Sequence, residues 1–359
     1  MGKQRGEEGL ELLEVSTGSR LHFGLLELAA GERLRFGGLG LMLDEPGWIL
    51  RFASPDSSSA TPLTELEMSP SRLSDIAARI EQVRERLCQQ TGRAHAAQVS
   101  ILKSLPLHSG LGAGTQLATA IALGLVLAEN SASHAAEPTF NSSFKPTLDE
   151  LIRWSGRGKR SGIGLFGFLH GGLIVDEGHA SISDGPPDLE SGRAIYATSS
   201  LLPAEWRVVL VTPDCVPEVT GGYEANLIQQ LGESPNPRRE RMLELAKRLQ
   251  ELTRLQGSFH DFTESLQEYV DAAGQLFAAG QGGMYNGAAV TEAVELAKQS
   301  GLRAVGQSSW GPTVFGFAED AGVAQRIADR LQELRPNERW QIRICTPARQ
   351  GASWRWVQD

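Results

Sequence analysis

Cysteine is scarce in this chain: Cys88, Cys215 and Cys345 are the only three, and no two of them form a CxxC pair. A disulfide framework or a cysteine-held zinc site is therefore not expected, and all three read as small buried hydrophobes. Basic runs are missing as well. The net charge is −9 and no stretch holds five or six consecutive Lys and Arg, which speaks against nucleic acid as a partner. Long apolar runs are also absent. The longest, residues 117–128, falls short of the ~20 residues that a membrane-spanning helix needs. Residues 1–9 are polar and charged, with no apolar signal core, so a soluble, cytoplasmic chain is expected.

What the chain does have is ordinary globular composition, 41% apolar and 21% charged. Its 359 residues exceed what one core fills, so two lobes are expected, over residues 1–200 and 201–359. The division falls just before the strongly apolar strand expected at 206–211. Apolar residues at helical spacing (Leu73, Ile76, Ile80, Val83, Leu87) predict a helix over 71–90, with Gly92 just past its end. The same reasoning predicts helices through Met242–Leu252, Leu266–Phe277, 288–299 and Val323–Leu334. Strands are expected at 12–15, 47–53, 98–103, 173–175, 303–306, 313–317 and 340–345. Residues 1–10 read as a loose tail and 131–147 as a surface insertion. Three of the seven Trp lie in the last twenty residues, so the C-terminal end is expected to pack against something. Strands alternating with helices predict an α+β fold.

Four segments bear chemistry. Residues 106–115, PLHSGLGAGT, link an expected strand to a long apolar helix. There Gly110, Gly112 and Gly114 permit close backbone approach, and the first amides of the helix face an anion. Ser109, Leu111, Ala113 and Thr115 complete this candidate phosphate loop. The Thr115 hydroxyl suits phosphate or Mg2+, or equally a plain N-cap. No GK[ST] follows, and no dinucleotide fingerprint is present. The alternative is a structural turn before a core helix. In the second segment, GRGKRSGIGLFGFLHGG at 156–172, Arg157, Lys159 and Arg160 crowd beside Ser161, which suits phosphate or carboxylate, or a solvated basic turn. His170 follows, as a site group or a structural histidine. Arg20 and His22, two apart on a strand, face one side and suit an anion site, or equally a half-exposed sheet face. Ser308 and Ser309 in GQSSWGP read as a closure over a ligand or as a hairpin turn.

In this order the segments resemble the GHMP kinase superfamily, whose central phosphate loop is P-x3-G-L-G-S-S. The wording RLHFGLLEL, FGGLGLMLD, GLGAGTQLA, GRGKRSGIG with FLHGG, and GQSSWGP is closest to its beta-ribofuranosylaminobenzene 5'-phosphate synthases, from about residue 15 to 345. The resemblance implies a two-lobed fold, with an N-terminal ribosomal-protein-like β-α lobe and a C-terminal ferredoxin-like sandwich. It implies condensation of phosphoribosyl diphosphate with 4-hydroxybenzoate or 4-aminobenzoate, with loss of diphosphate and CO2, in tetrahydromethanopterin biosynthesis. Mg2+ is the implied cofactor, with Thr115 and Asp44 (or Glu27) as its ligands, and a homodimer is the implied assembly. Many of the kinases carry S-G-hydrophobic-D in the third segment, the Asp serving as base. Here Ser161-Gly162-Ile163-Gly164 puts glycine in its place, and glycine takes no proton. The alternatives are an ATP-dependent small-molecule kinase or a non-catalytic ligand-binding relative.

Overall fold

The computed structural model describes residues 11–27, 34–55, 66, 68–133, 144–158, 161–180, 197–215, 236–335 and 340–358. Two antiparallel sheets organise it. The first has the order β12-β1-β3-β5-β7, with β4 also paired to β3. Its strands are β1 (Glu11–Leu25), β3 (Gly38–Ala53), β4 (Gln98–Lys103), β5 (Leu173–Asp176), β7 (Ala197–Ser200) and β12 (Ser353–Gln358). Strand β3 is long enough to pair with β5 along Gly38–Leu41 and with β4 along Ile49–Ala53. A short ribbon joins β2 (Leu34–Arg35) to β6 (His179–Ala180). The second sheet has the order β11-β8-β10-β9. It contains β8 (Arg207–Thr212), β9 (Arg303–Gln307), β10 (Val314–Ala318) and β11 (Gln341–Cys345).

Local signals set the helix ends. Helix α1 (Pro70–Thr91) starts with Ser69 accepting a hydrogen bond from Arg72 N and with Pro in its first turn. It stops at Gly92, whose left-handed backbone (φ 68°) glycine adopts at no steric cost. Helix α3 (Leu148–Ser155) begins with a capping box, Thr147 and Glu150. Helix α2 (Ala113–Ser133) runs between them with Gln116–Leu125 entirely buried. An apolar helix with no polar stripe belongs inside a core. Its fit is tight: a Cβ added at Gly124 would lie 2.1 Å from the Phe52 ring. A Gly124→Ala change must therefore displace an aromatic core residue, an overpacking that costs about 1–3 kcal/mol.

The two inner strands of the second sheet, β8 and β10, are buried on both faces. Val208 and Leu210 of β8 join the main core with α5 (Arg239–Arg254) and α6 (Phe259–Gln281). Val209 and Val211 turn to a separate core under α7 (Ala288–Gln299) and α8 (Ala321–Leu334). The strand therefore reads as a continuous apolar run.

Three sequence expectations need correction. Residues 163–170, where the sequence pattern predicts no helix, form helix α4 (Ile163–His170). The chain end does not stay with the second lobe: β12 pairs with β1, and Trp354 and Trp356 pack on the main core. Glu14, buried in β1, fastens this return by accepting hydrogen bonds from Arg51 on β3 and Arg355 on β12. Burial pushes its carboxyl up, but the two guanidinium groups outweigh that and hold it below the usual range. Finally, only Cys345 is buried among the cysteines; Cys215 is half-buried and Cys88 is exposed on α1.

Candidate active site

A cleft of about 480 Å³ opens between the lobes. Its floor is the loop leading into α2. Gly110 (φ 85°) and Gly112 (φ 70°) adopt left-handed backbone there. The Gly112 carbonyl accepts from Thr115 N and Gln116 N, so the helix starts at this point and its first amides face the cleft mouth. Arg20 N on β1 donates to Leu111 O at 2.9 Å, and Trp48 Nε1 donates to Ala113 O at 3.1 Å. These bonds fix the loop to the first sheet.

The first lobe lines this floor with cations. Arg20, Arg79 and Arg157 all border the cleft, and no Asp or Glu does among the described residues. A Cβ built on Gly112 would lie 3.1 Å from Arg20 Nε. One built on Gly114 would lie 3.6 Å from an Arg157 guanidinium nitrogen and 3.8 Å from one of Arg79. The three guanidinium groups therefore gather round the start of α2, whose dipole has the same sign. Arg157 also donates to Thr115 Oγ1, from Nε at 3.4 Å and Nη2 at 3.3 Å. Thr115 is inside the first turn and is not an N-cap. An acidic chain thus concentrates positive potential in one place.

Gly164, in the first turn of α4, is buried directly behind two residues that line the cleft, Thr115 and Arg20. A Cβ there would meet Thr115 Cγ2 at 3.0 Å and Arg20 Cδ at 3.8 Å. Its carbonyl accepts from Gln116 Nε2 at 2.8 Å, and Gln116 Oε1 accepts from Thr17 Oγ1, so buried Gln116 ties α4 and β1 to α2. The start of α4 is held further by buried Asp176, whose carboxylate accepts from Gly162 N (2.7 Å) and Gly178 N (3.0 Å). His22 is almost fully buried beside Arg20. Burial first, and the Arg20 charge second, hold its imidazole well below its ordinary pKa, so it is neutral.

The second lobe supplies an apolar wall: Val270, Ala273 and Phe277 of α6, then Met284, Tyr285 and Trp310, with Leu25 of β1 beside them. Burial pushes the Tyr285 phenol up to about 12, so it keeps its proton.

Of the residues singled out by sequence, Arg20, His22, Gly110, Gly112, Ala113, Gly114, Thr115, Arg157, Ser161 and Ser309 line this one cleft. Lys159 and Arg160 lie outside the described residues. Others sit elsewhere. Ser109 is buried and donates to Pro106 O, and the Leu111 side chain is in the core. Ser308 is fully buried and acts as a clasp. Its Oγ donates to Gly110 O (2.8 Å) and accepts from His22 N (3.0 Å), binding the phosphate loop and β1 to the second lobe. His170 is exposed at the far end of α4, its ring 4.4 Å from that of Phe166, and does not border the cleft. Asp44 lines a separate depression of about 200 Å³ with Thr17, Lys103 and Gln350. Glu27 is buried and accepts from Asn236 N at 3.1 Å. Neither carboxylate can ligate a metal in the cleft. Among the described residues that the sequence offers as metal ligands, Thr115 alone borders the cleft, and no cluster of His, Cys, Asp or Glu there could hold a metal ion. Arg79, His108, Phe277 and Tyr285 were missed. Arg79 is one of several arginines along α1, and nothing in the helical pattern sets it apart.

An arginine-lined cleft between two α+β lobes, floored by a glycine loop at a buried helix, defines the class: the chain has the GHMP-kinase fold. The family described as "GHMP kinases C terminal" matches residues 236–337. Among solved structures, L. major mevalonate kinase aligns with TM-score 0.61 and 12% identity over 94% of this chain and 96% of that one. Mevalonate diphosphate decarboxylase of Staphylococcus aureus aligns with TM-score 0.59 and 14% identity, covering 98% and 99%. At such identities the likeness speaks to the fold alone. Within that fold the chain is a relative of the beta-ribofuranosylphenol 5'-phosphate synthases. The one from Methanothermobacter thermautotrophicus is 28% identical over 89% of this chain and 93% of its own. That of Archaeoglobus fulgidus is 26% identical over 90% and 93%. Among the described residues, no helix is long and apolar enough to cross a membrane.

Proposed function

We propose that this chain is a beta-ribofuranosylphenol 5'-phosphate synthase, a decarboxylating phosphoribosyl transferase acting on phosphoribosyl diphosphate and 4-hydroxybenzoate. The observation that carries the reading is the cleft lining, three arginines and a helix start with no carboxylate among the described residues, together with glycine at 164 behind Thr115 and Arg20. A phosphoryl transfer to an alcohol profits from a base; this condensation does not. The C1–O bond to diphosphate breaks and C1 gains oxocarbenium character. The ring carbon bearing the carboxylate attacks, forming the C–C bond, while the para oxygen feeds electron density into the ring. The C–CO2 bond then breaks, its electron pair restores aromaticity, and no proton leaves that carbon.

The residues' tasks follow from charge and place. The amides of Gly112–Gly114, Arg157 and Arg79 take the leaving diphosphate, where positive groups fixed in advance stabilise charge as it develops. Arg20 holds a second anionic group across the floor. Neutral His22 adds a hydrogen-bonding group without adding charge. Any magnesium would arrive on diphosphate oxygens, with the Thr115 hydroxyl as the donor from the protein. The acceptor with a para hydroxyl is preferred because the relatives' names end in a phenol.

The test is stoichiometry. Carboxyl-labelled 4-hydroxybenzoate and phosphoribosyl diphosphate should yield CO2 and diphosphate one to one, with no ATP needed. Turnover of ATP on a panel of small alcohols, with none on this pair, would reject the proposal. Diphosphate binding without CO2 release would indicate a non-catalytic relative.

A further inference from the structure

Leu25, Phe277 and Trp310 form a small apolar cluster of their own, apart from both main cores. Phe277 and Trp310 meet edge to face with ring centroids 4.8 Å apart. All three border the cleft, opposite the wall that carries the arginines. Two aromatics held rigid beside a polar cleft offer a ring edge and an apolar surface to whatever occupies it. Phosphoribosyl diphosphate, a sugar with phosphates at both ends, has no flat apolar part to place there. A benzoate does. Its ring would lie on the second lobe's wall, and its reacting carbon would face the ribose held on the first.

We infer that Phe277 and Trp310 form the acceptor-ring subsite and that this pair determines specificity for an aromatic carboxylate. The inference rests on the proposed reaction, and it divides the two substrates between the lobes. Both substrates are read separately in the test. Phe277→Leu keeps an apolar residue and removes the ring; Trp310→Phe is the second variant, in case the first does not fold, and melting curves check both. In initial-rate assays, KM for 4-hydroxybenzoate should rise about tenfold, the loss of one aromatic contact, while KM for phosphoribosyl diphosphate stays within about twofold. A rise in KM for phosphoribosyl diphosphate instead, or no change in either constant in a folded variant, overturns the subsite. If the wild-type chain turns over neither substrate, the proposed reaction fails, and calorimetric titration with 4-hydroxybenzoate still decides the subsite. Binding that Phe277→Leu weakens while leaving diphosphate binding intact upholds it; no binding to the wild-type chain overturns it.

Discussion

Placing a carboxylate at position 164 should cut the activity sharply. The Gly164→Asp side chain would press against Thr115 and Arg20, which line the cleft, since the added Cβ already lies 3.8 Å from Arg20 Cδ. The backbone tolerates it: Gly164 is helical, and an acidic group in a first helical turn gains about 0.3–1 kcal/mol. The crowding is mild, because the 3.0 Å approach to Thr115 Cγ2 calls for a shift of a few tenths of an ångström. The electrostatic effect is larger. A unit charge about 5 Å from a substrate phosphate, at an effective dielectric near 20, repels it by roughly 3 kcal/mol. The new anion also claims the Arg20 guanidinium. A fall in kcat/KM of about a hundredfold follows, with little change in Tm. Gly164→Asn is the isosteric neutral control and should stay within a few-fold of Gly164→Ala. The assay is CO2 release from labelled 4-hydroxybenzoate. If Asp and Asn lose activity equally, the effect is steric and the reasoning from charge is wrong. If Asp raises turnover, position 164 needs a base after all.

Arg157→Ala should lower kcat/KM by about 10- to 100-fold, the cost of one charged hydrogen bond to an anion, with the melting temperature shifted by only a few degrees. Ser308→Ala removes the hydroxyl that joins Gly110 to His22 and leaves buried polar groups unpaired, so denaturant titration should show a loss of about 1–3 kcal/mol. His22 gives a pH signature with a definite sign. Its folded pKa is depressed, so as pH falls below 6.5 the unfolded chain takes up a proton that the folded chain refuses. Stability therefore drops by up to ~1.4 kcal/mol per pH unit from this group, until pH reaches the folded pKa. His22→Asn should flatten that part of the stability curve relative to wild type.

Much of the scaffold was legible because its elements carry local marks. Helix α1 shows the apolar period and an end-stop glycine, and β8 shows its four-residue apolar run. The loop at 106–115 could be read as a candidate site because a glycine-rich turn before an apolar helix is a local pattern. What escaped notice depends on distant partners. Strand β12 is recognisable only through β1, more than three hundred residues earlier in the chain. Helix α4, IGLFGFLH, is largely buried, rich in glycine and without a polar residue before its final His170, so it has no polar stripe to betray its period. The full lengths of β1 and β3 were not legible either, because glycines interrupt their apolar pattern. At Gly18 a Cβ would lie 1.9 Å from Leu43 O, and at Gly40 2.6 Å from Ile163 Cγ2. They mark close approach between neighbouring elements within long strands. Arg79 and the aromatic wall had no signal of their own; only the folded cleft selects them.

A crystal structure with diphosphate bound would be the most direct test. We expect its oxygens within hydrogen-bonding distance of the amides at the start of α2 and of the Arg157 guanidinium, with Arg79 and Arg20 turned toward it. Diphosphate seated at saturation anywhere other than this floor, with Arg157 directed into solvent, would contradict the cationic cleft on which the proposed chemistry depends.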